Sequence, residues 1–196
     1  ASGDMDNVYV GKWSGYSAST AVFNTYVGSK SAWLGNGSYN VALGFQTLRG
    51  ASTNNNTGVG YQAGAFQSGA NVTLVGFEAG RSNTGQGHIS IGYEAGYSQT
   101  SGASNTNLGY KAGYSATTAN NNVILGYEAH LNGTGSFSVI IGSQAGQSNT
   151  NSGLTAIGYQ SGYQSTGGAN TFVGQRAGFL NYSAAGNTGI GREALN

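Results

Sequence analysis

The chain has 196 residues, of which 36 are Gly, none is Pro or Cys and only 7% are charged, with a formal net charge of +1. That balance gives no electrostatic footprint for nucleic acid or an acidic membrane, and the absence of cysteine excludes disulfide staples and thiolate sites. With 38% apolar and 11% aromatic residues, an ordered chain is expected; the glycines have no collagen period, no apolar run approaches the roughly 18 residues of a membrane span, and no basic-then-apolar leader opens the chain.

The first predicted element is the strand Val8–Val10, which runs into Gly11, and the next is Thr25–Val27 before Gly28. The same phrase then recurs ahead of Gly44, Gly60, Gly76, Gly92, Gly109, Gly126, Gly142, Gly158, Gly174 and Gly191, always 16 or 17 residues apart. The residue before each glycine is Val, Leu or Ile, and the residue three before is Val, Ile or Thr, whereas the one between ranges from Gly58 to Phe172. Fixed and variable positions that alternate make a strand with one constant face, and β-branched residues suit it. The constant face, together with the Ala, Ser or Thr three after the glycine, is expected to point inward. The variable column, with Tyr9, Tyr26, Leu74, Ile124, Ile140 and Phe172, is expected to form a second face that packs on sister chains.

Asn stands four before the glycine in eight of the twelve copies, where it suits the corner that enters the strand. Two after the glycine, one column holds seven of the thirteen charged residues and is expected to face water. A unit this short accommodates one coil of a β-solenoid, with two short strands and two corners. Twelve coils rising about 4.8 Å each predict a rod of roughly 58 Å. Residues 1–196 read as one repeat domain, and the chain, which stops in mid-pattern at "GREALN", reads as a piece of a longer fibre.

"NTGVGYQAG" (56–64), "NTFVGQRAG" (170–178) and "NTGIGREAL" (187–195) resemble the head repeats of YadA-like trimeric autotransporter adhesins. They are equally similar to repeats of phage tail fibres and of tail-fibre-like adhesive trimers on bacterial surfaces. The resemblance covers essentially the whole chain, although the typical head repeat is shorter and lacks the aromatic residue after the glycine. It implies a left-handed parallel β-roll in a homotrimer, at the bacterial cell surface or in a phage virion. The implied role is adhesion, by binding a cell-surface receptor or glycan without membrane insertion; a structural spacer is the alternative and a glycan-cleaving tailspike the third reading.

Residue chemistry adds little that is catalytic. No copy of "NLGYKAGYS" (107–115) has the spacing of a phosphate-binding loop, and no helix follows for a dinucleotide site. Asp4 and Asp6 cannot supply a calcium ligand in every turn, so no metal or cofactor is expected. Glu78 and Glu94, one coil apart, suit a glycosidase pair in separation but lack a cleft. His88 and His130 read as isolated surface residues. The Thr column, read as inward, argues against ice binding. Residues 1–50 are less regular and aromatic-rich: Trp13, Tyr16, Trp33 and Tyr39 are the candidate ligand residues of a binding tip, and a lid over the first coil is the alternative.

Overall fold

The computed structural model describes residues 6–196; Asp4, one of the two aspartates weighed above, lies outside them. Twelve three-residue strands follow one another in chain order: β1 (Val8–Val10), β2 (Thr25–Val27), β3 (Val41–Leu43), β4 (Thr57–Val59), β5 (Thr73–Val75), β6 (Ile89–Ile91), β7 (Thr106–Leu108), β8 (Val123–Leu125), β9 (Val139–Ile141), β10 (Thr155–Ile157), β11 (Thr171–Val173) and β12 (Thr188–Ile190). Each pairs in parallel with the next, in one twelve-stranded sheet ordered β1 to β12. The register never slips, so Thr57 faces Thr73 and Thr73 faces Ile89. The result is a β-solenoid of about eleven turns. Eleven rises of about 4.8 Å give a rod of roughly 53 Å.

Each coil has one strand, not the expected two. The rest of the coil is turn and bend, yet it is laddered to its neighbour as closely as the strand is. The N–H groups of Gly64, Phe66 and Ser68 donate to the carbonyls of Ala79, Arg81 and Asn83, so the backbone of one coil is satisfied by the next. The repeat glycine makes the corner possible. Gly142 has φ 137°, and a Cβ there would run into the backbone of Gly158 one coil on.

The two faces of the strand are the reverse of the sequence expectation. The middle, variable residue points inward: Tyr26, Ala42, Leu74, Ile124, Ile140, Ala156 and Phe172 are fully buried. The constant Val, Ile, Leu and Thr positions on either side point out, and Leu108, Leu125 and Ile157 remain 41%, 39% and 36% exposed. Alternation divides a strand into two faces without saying which is inside. The interior absorbs variation because sizes compensate across neighbouring positions. Leu48 fills the space at Gly58, where a Cβ would approach its Cγ to 2.8 Å, and Gly178 makes room for the Phe172 ring.

The remainder of the interior is polar, and most of it is hydrogen-bonded from coil to coil. The Asn column is a ladder rather than a set of corner caps. Asn40 Oδ1 accepts the N–H of Asn56 at 2.8 Å, and Asn122 Oδ1 accepts that of Ser138 at 2.8 Å. Asn122 Nδ2 also donates to the Gly135 carbonyl at 2.9 Å. His88 and His130, expected on the surface, are both fully buried. His88 replaces an Asn in the ladder, while His130 stands where most copies have a glycine, and there the side chain turns into the core.

Candidate ligand-binding surface

The outer surface carries two stacked aromatic rows. In the first, the residue after the repeat glycine gives Phe45, Tyr61, Phe77, Tyr93, Tyr110 and Tyr127, with consecutive rings 5.1–5.6 Å apart and nearly parallel. The coil spacing sets this distance, and each pair contributes about 0.5–1.5 kcal/mol beyond area burial. Because each inner ring is covered on both faces by its neighbours, the row shows ring edges to water. The Tyr/Phe preference was visible in the sequence; its consequence, a continuous stack, required the register.

The second row lies further round the coil and mixes aromatic and cationic groups. Trp13 stacks on Trp33 with ring centroids 6.0 Å apart. The Arg49 guanidinium follows, 5.1 Å from the Trp33 ring and 5.7 Å from Phe66. Arg81 lies 4.9 Å from Phe66 and 5.6 Å from Tyr97, and Tyr97 stacks on Tyr114 at 5.0 Å. Lys12 and Lys30 cover Trp13 at 4.4 and 5.3 Å. Cations over ring faces are attracted by the ring quadrupole, which keeps these long side chains ordered along the rod. Gaps in the pattern are filled locally: Ala65 is small, and Phe66 takes the tier between the two arginines.

Of the four candidate tip residues, the structure brings Trp13 and Trp33 together. Trp13 is 44% exposed, as its place in the outward column predicts, and Tyr16 is 70% exposed without a stacking partner among the described residues. Tyr39 belongs to a different corner, where it stacks on Phe23 at 5.3 Å. The residue that covers the end of the core is Tyr9, whose ring lies 5.1 Å from buried Tyr26, while the tryptophans stand outside. Arg49, Phe66 and Arg81 were not singled out from the sequence, because the row depends on which residues stack and not on any motif.

Glu78 and Glu94 are not left as a free carboxylate pair. Glu78 pairs with Arg81 at 3.4 Å and Glu94 with Lys111 at 3.4 Å. Hydrogen bonds between coils continue the column, from Gln62 to Gln46 at 2.7 Å and from Gln144 to Glu128 at 3.0 Å. The Glu94 carboxylate also accepts a hydrogen bond from the Tyr93 hydroxyl, which holds that phenol above its usual pKa. Among the described residues, no three His, Cys, Asp or Glu side chains gather as metal ligands and no helix is long and apolar enough to cross a membrane. No family model, characterised protein or solved structure matches the chain.

Proposed function

We propose that the chain is a segment of a trimeric, non-enzymatic fibre on a bacterial surface, or in a phage tail, which attaches its owner to a target surface. In this reading the coils form a left-handed β-roll, and three rolls lie side by side. One observation carries the proposal: the most regular apolar surface of the rod is on its outside. The columns that include Val41, Ile89, Val123, Leu43, Leu108 and Leu125, each at least 36% exposed, make a stripe roughly 53 Å by 7 Å. An apolar stripe of that extent marks an interaction surface. A second and third copy would cover it, and three chains would give the binding surface its multivalency. Sedimentation of the isolated chain should give three times its 19.8 kDa mass; a folded monomer would overturn the trimer.

Attachment, rather than a spacer role, is favoured by exposed Trp13, stacked on half-buried Trp33, and its lysines. Binding to cells or immobilised glycans that falls when Trp13 and Trp33 are replaced by Ala, with oligomeric mass unchanged, supports it. Binding that survives in the folded double variant assigns the pair to structure.

A second reading rests on the reversal of the strand faces. Thr25, Thr57, Thr73, Thr106, Thr155, Thr171 and Thr188 stand on the outer face in one column that Val and Ile interrupt, an incomplete form of the threonine array that binds ice. Thermal hysteresis from a folded monomer would favour ice binding, and a trimer without hysteresis the fibre.

A further inference from the structure

Leu34, Gly50 and Phe66 hold the same position in three successive coils, each the sixth residue after its repeat glycine. Leu34 and Phe66 stand about half exposed, and Gly50 leaves the tier between them without a side chain. A cleft of about 280 Å³ opens there, lined by Leu34, Arg49, Gly50, Ala65, Phe66 and Ser68 together with Gln67. Backbone geometry does not demand this glycine. A Cβ at Gly50 would meet only the Ala65 carbonyl oxygen, at an ordinary 3.6 Å. The empty tier is therefore a recess the fold tolerates filled or unfilled.

Arg49 gives the recess a charge. Its Nε is buried without a hydrogen-bond partner, and none of the three ion pairs among the described residues includes it. Arg81, in the same column two coils on, contrasts with it: it pairs with Glu78 and donates to Gln62 at 3.2 Å and to Tyr97 at 2.8 Å. Arg49 is a cation held between Trp33 and Phe66, and no protein acceptor meets its Nε.

We propose that this recess binds one carboxylated pyranose ring, a terminal or branch sugar of an acidic glycan. The coil spacing leaves a single tier of about 4.8 Å between the two walls, the thickness of one ring. Phe66 and Leu34, each about half exposed, supply the apolar walls on either side of the ring. The planar fork of Arg49 takes the carboxylate in two parallel hydrogen bonds, while the open outer side leaves the hydroxyls hydrated. A recess of this size is at the small end of ligand sites, suited to one ring, so strength would come from three copies per fibre. The proposal deepens the adhesive reading and rests on it.

The test is ligand-observed saturation-transfer NMR on the intact chain in its own oligomeric state, with methyl β-D-glucuronide, methyl β-D-glucoside and N-acetylphenylalanine as probes. The expected result is binding of the glucuronide at least ten-fold tighter than of the glucoside. Gly50→Leu, which fills the tier, should abolish it, and Arg49→Gln should lower it to the glucoside level, both with wild-type melting temperature and mass. The proposal is overturned if the wild type does not bind the glucuronide, if folded Gly50→Leu binds it as the wild type does, or if N-acetylphenylalanine is preferred. Should Gly50→Leu not fold, Gly50→Ser makes the same test. Mass is measured separately: a trimer without glucuronide binding removes the site alone, and a monomer that binds it removes the trimer alone.

Discussion

His88 takes the place of an asparagine with both of its ring nitrogens. Nδ1 accepts the backbone N–H of Asn105 at 3.3 Å, and Nε2 donates to the carbonyl of Gly102 at 2.8 Å. These are the two bonds that Asn122 makes, to the Ser138 N–H and the Gly135 carbonyl. The Asn105 N–H can only donate, so the imidazole is the neutral Nε2–H tautomer. Burial pushes its pKa below 6.5. Burial acts more strongly on His130, where it outweighs the nearby Asn149 backbone and lowers the pKa to about 4.

Acid should therefore loosen the roll. A histidine with a depressed folded pKa takes up its proton more readily in the unfolded chain. Its stabilising contribution is complete above the unfolded value near 6.5 and is lost as the pH falls toward the folded value. For His130 that window runs from about 6.5 down to about 4 and is worth about 3 kcal/mol. Melting curves at pH 7 and pH 5 should differ in the wild type. The difference should shrink in His130→Gly, which restores the usual residue, and in His88→Asn, which restores the ladder. Equal sensitivity in all three chains would remove the histidines from the account.

The asparagine ladder should be costly to interrupt. Asn122→Ala leaves the Ser138 N–H and the Gly135 carbonyl without their partners in a fully buried column. Each orphaned group costs about 1–3 kcal/mol, so denaturant unfolding should show a loss of about 2–6 kcal/mol. A loss below 1 kcal/mol would mean that the neighbouring coils repair the gap.

Glycines should divide sharply into two kinds. Gly142→Ala puts a side chain at φ 137° and into the backbone of Gly158, a combination of strain and clash expected to cost at least about 2 kcal/mol. Gly50→Ala meets no obstacle and should be neutral or slightly stabilising, because it also restricts the unfolded chain. Thermal melts of the two variants make the comparison, and similar losses in both would contradict the backbone account of the repeat glycine.

The outer stripe should decide assembly without deciding the fold of a coil. Leu108→Glu places a charge on an exposed position of β7 and touches no interior residue column. If copies pack on this face, sedimentation should show dissociation to monomers, and Leu108→Ala, which trims apolar surface without adding a charge, should weaken the trimer far less. A trimer of unchanged stability in Leu108→Glu would place the interface elsewhere.

Much was legible in the sequence. The glycine spacing placed all twelve strands, β1 to β12, at the residues where they form, because the φ of the repeat glycine and the short inter-coil distance tolerate no other residue there. Trp13 was expected to be exposed from its column, and it is. The candidate surface was legible only in part. Trp13 and Trp33 could be named, but Arg49, Phe66 and the gap at Gly50 belong to no motif. They meet because coils stack in register, and stacking relates residues 16 or 17 positions apart.

The sequence by itself determined the period, the strand before each repeat glycine and the alternation of a constant with a variable face. Only the tertiary structure decided which face is inside. A strand's period of two separates its side chains without giving the separation a sign. The sign is set by the way the corner turns, through glycines such as Gly142 and the left-handed residues two positions later, such as Gln144 at φ 55°. That turn carries the chain round on the variable side, so Phe172 and Ile140 become the core and Leu108 and Leu125 are left on the surface.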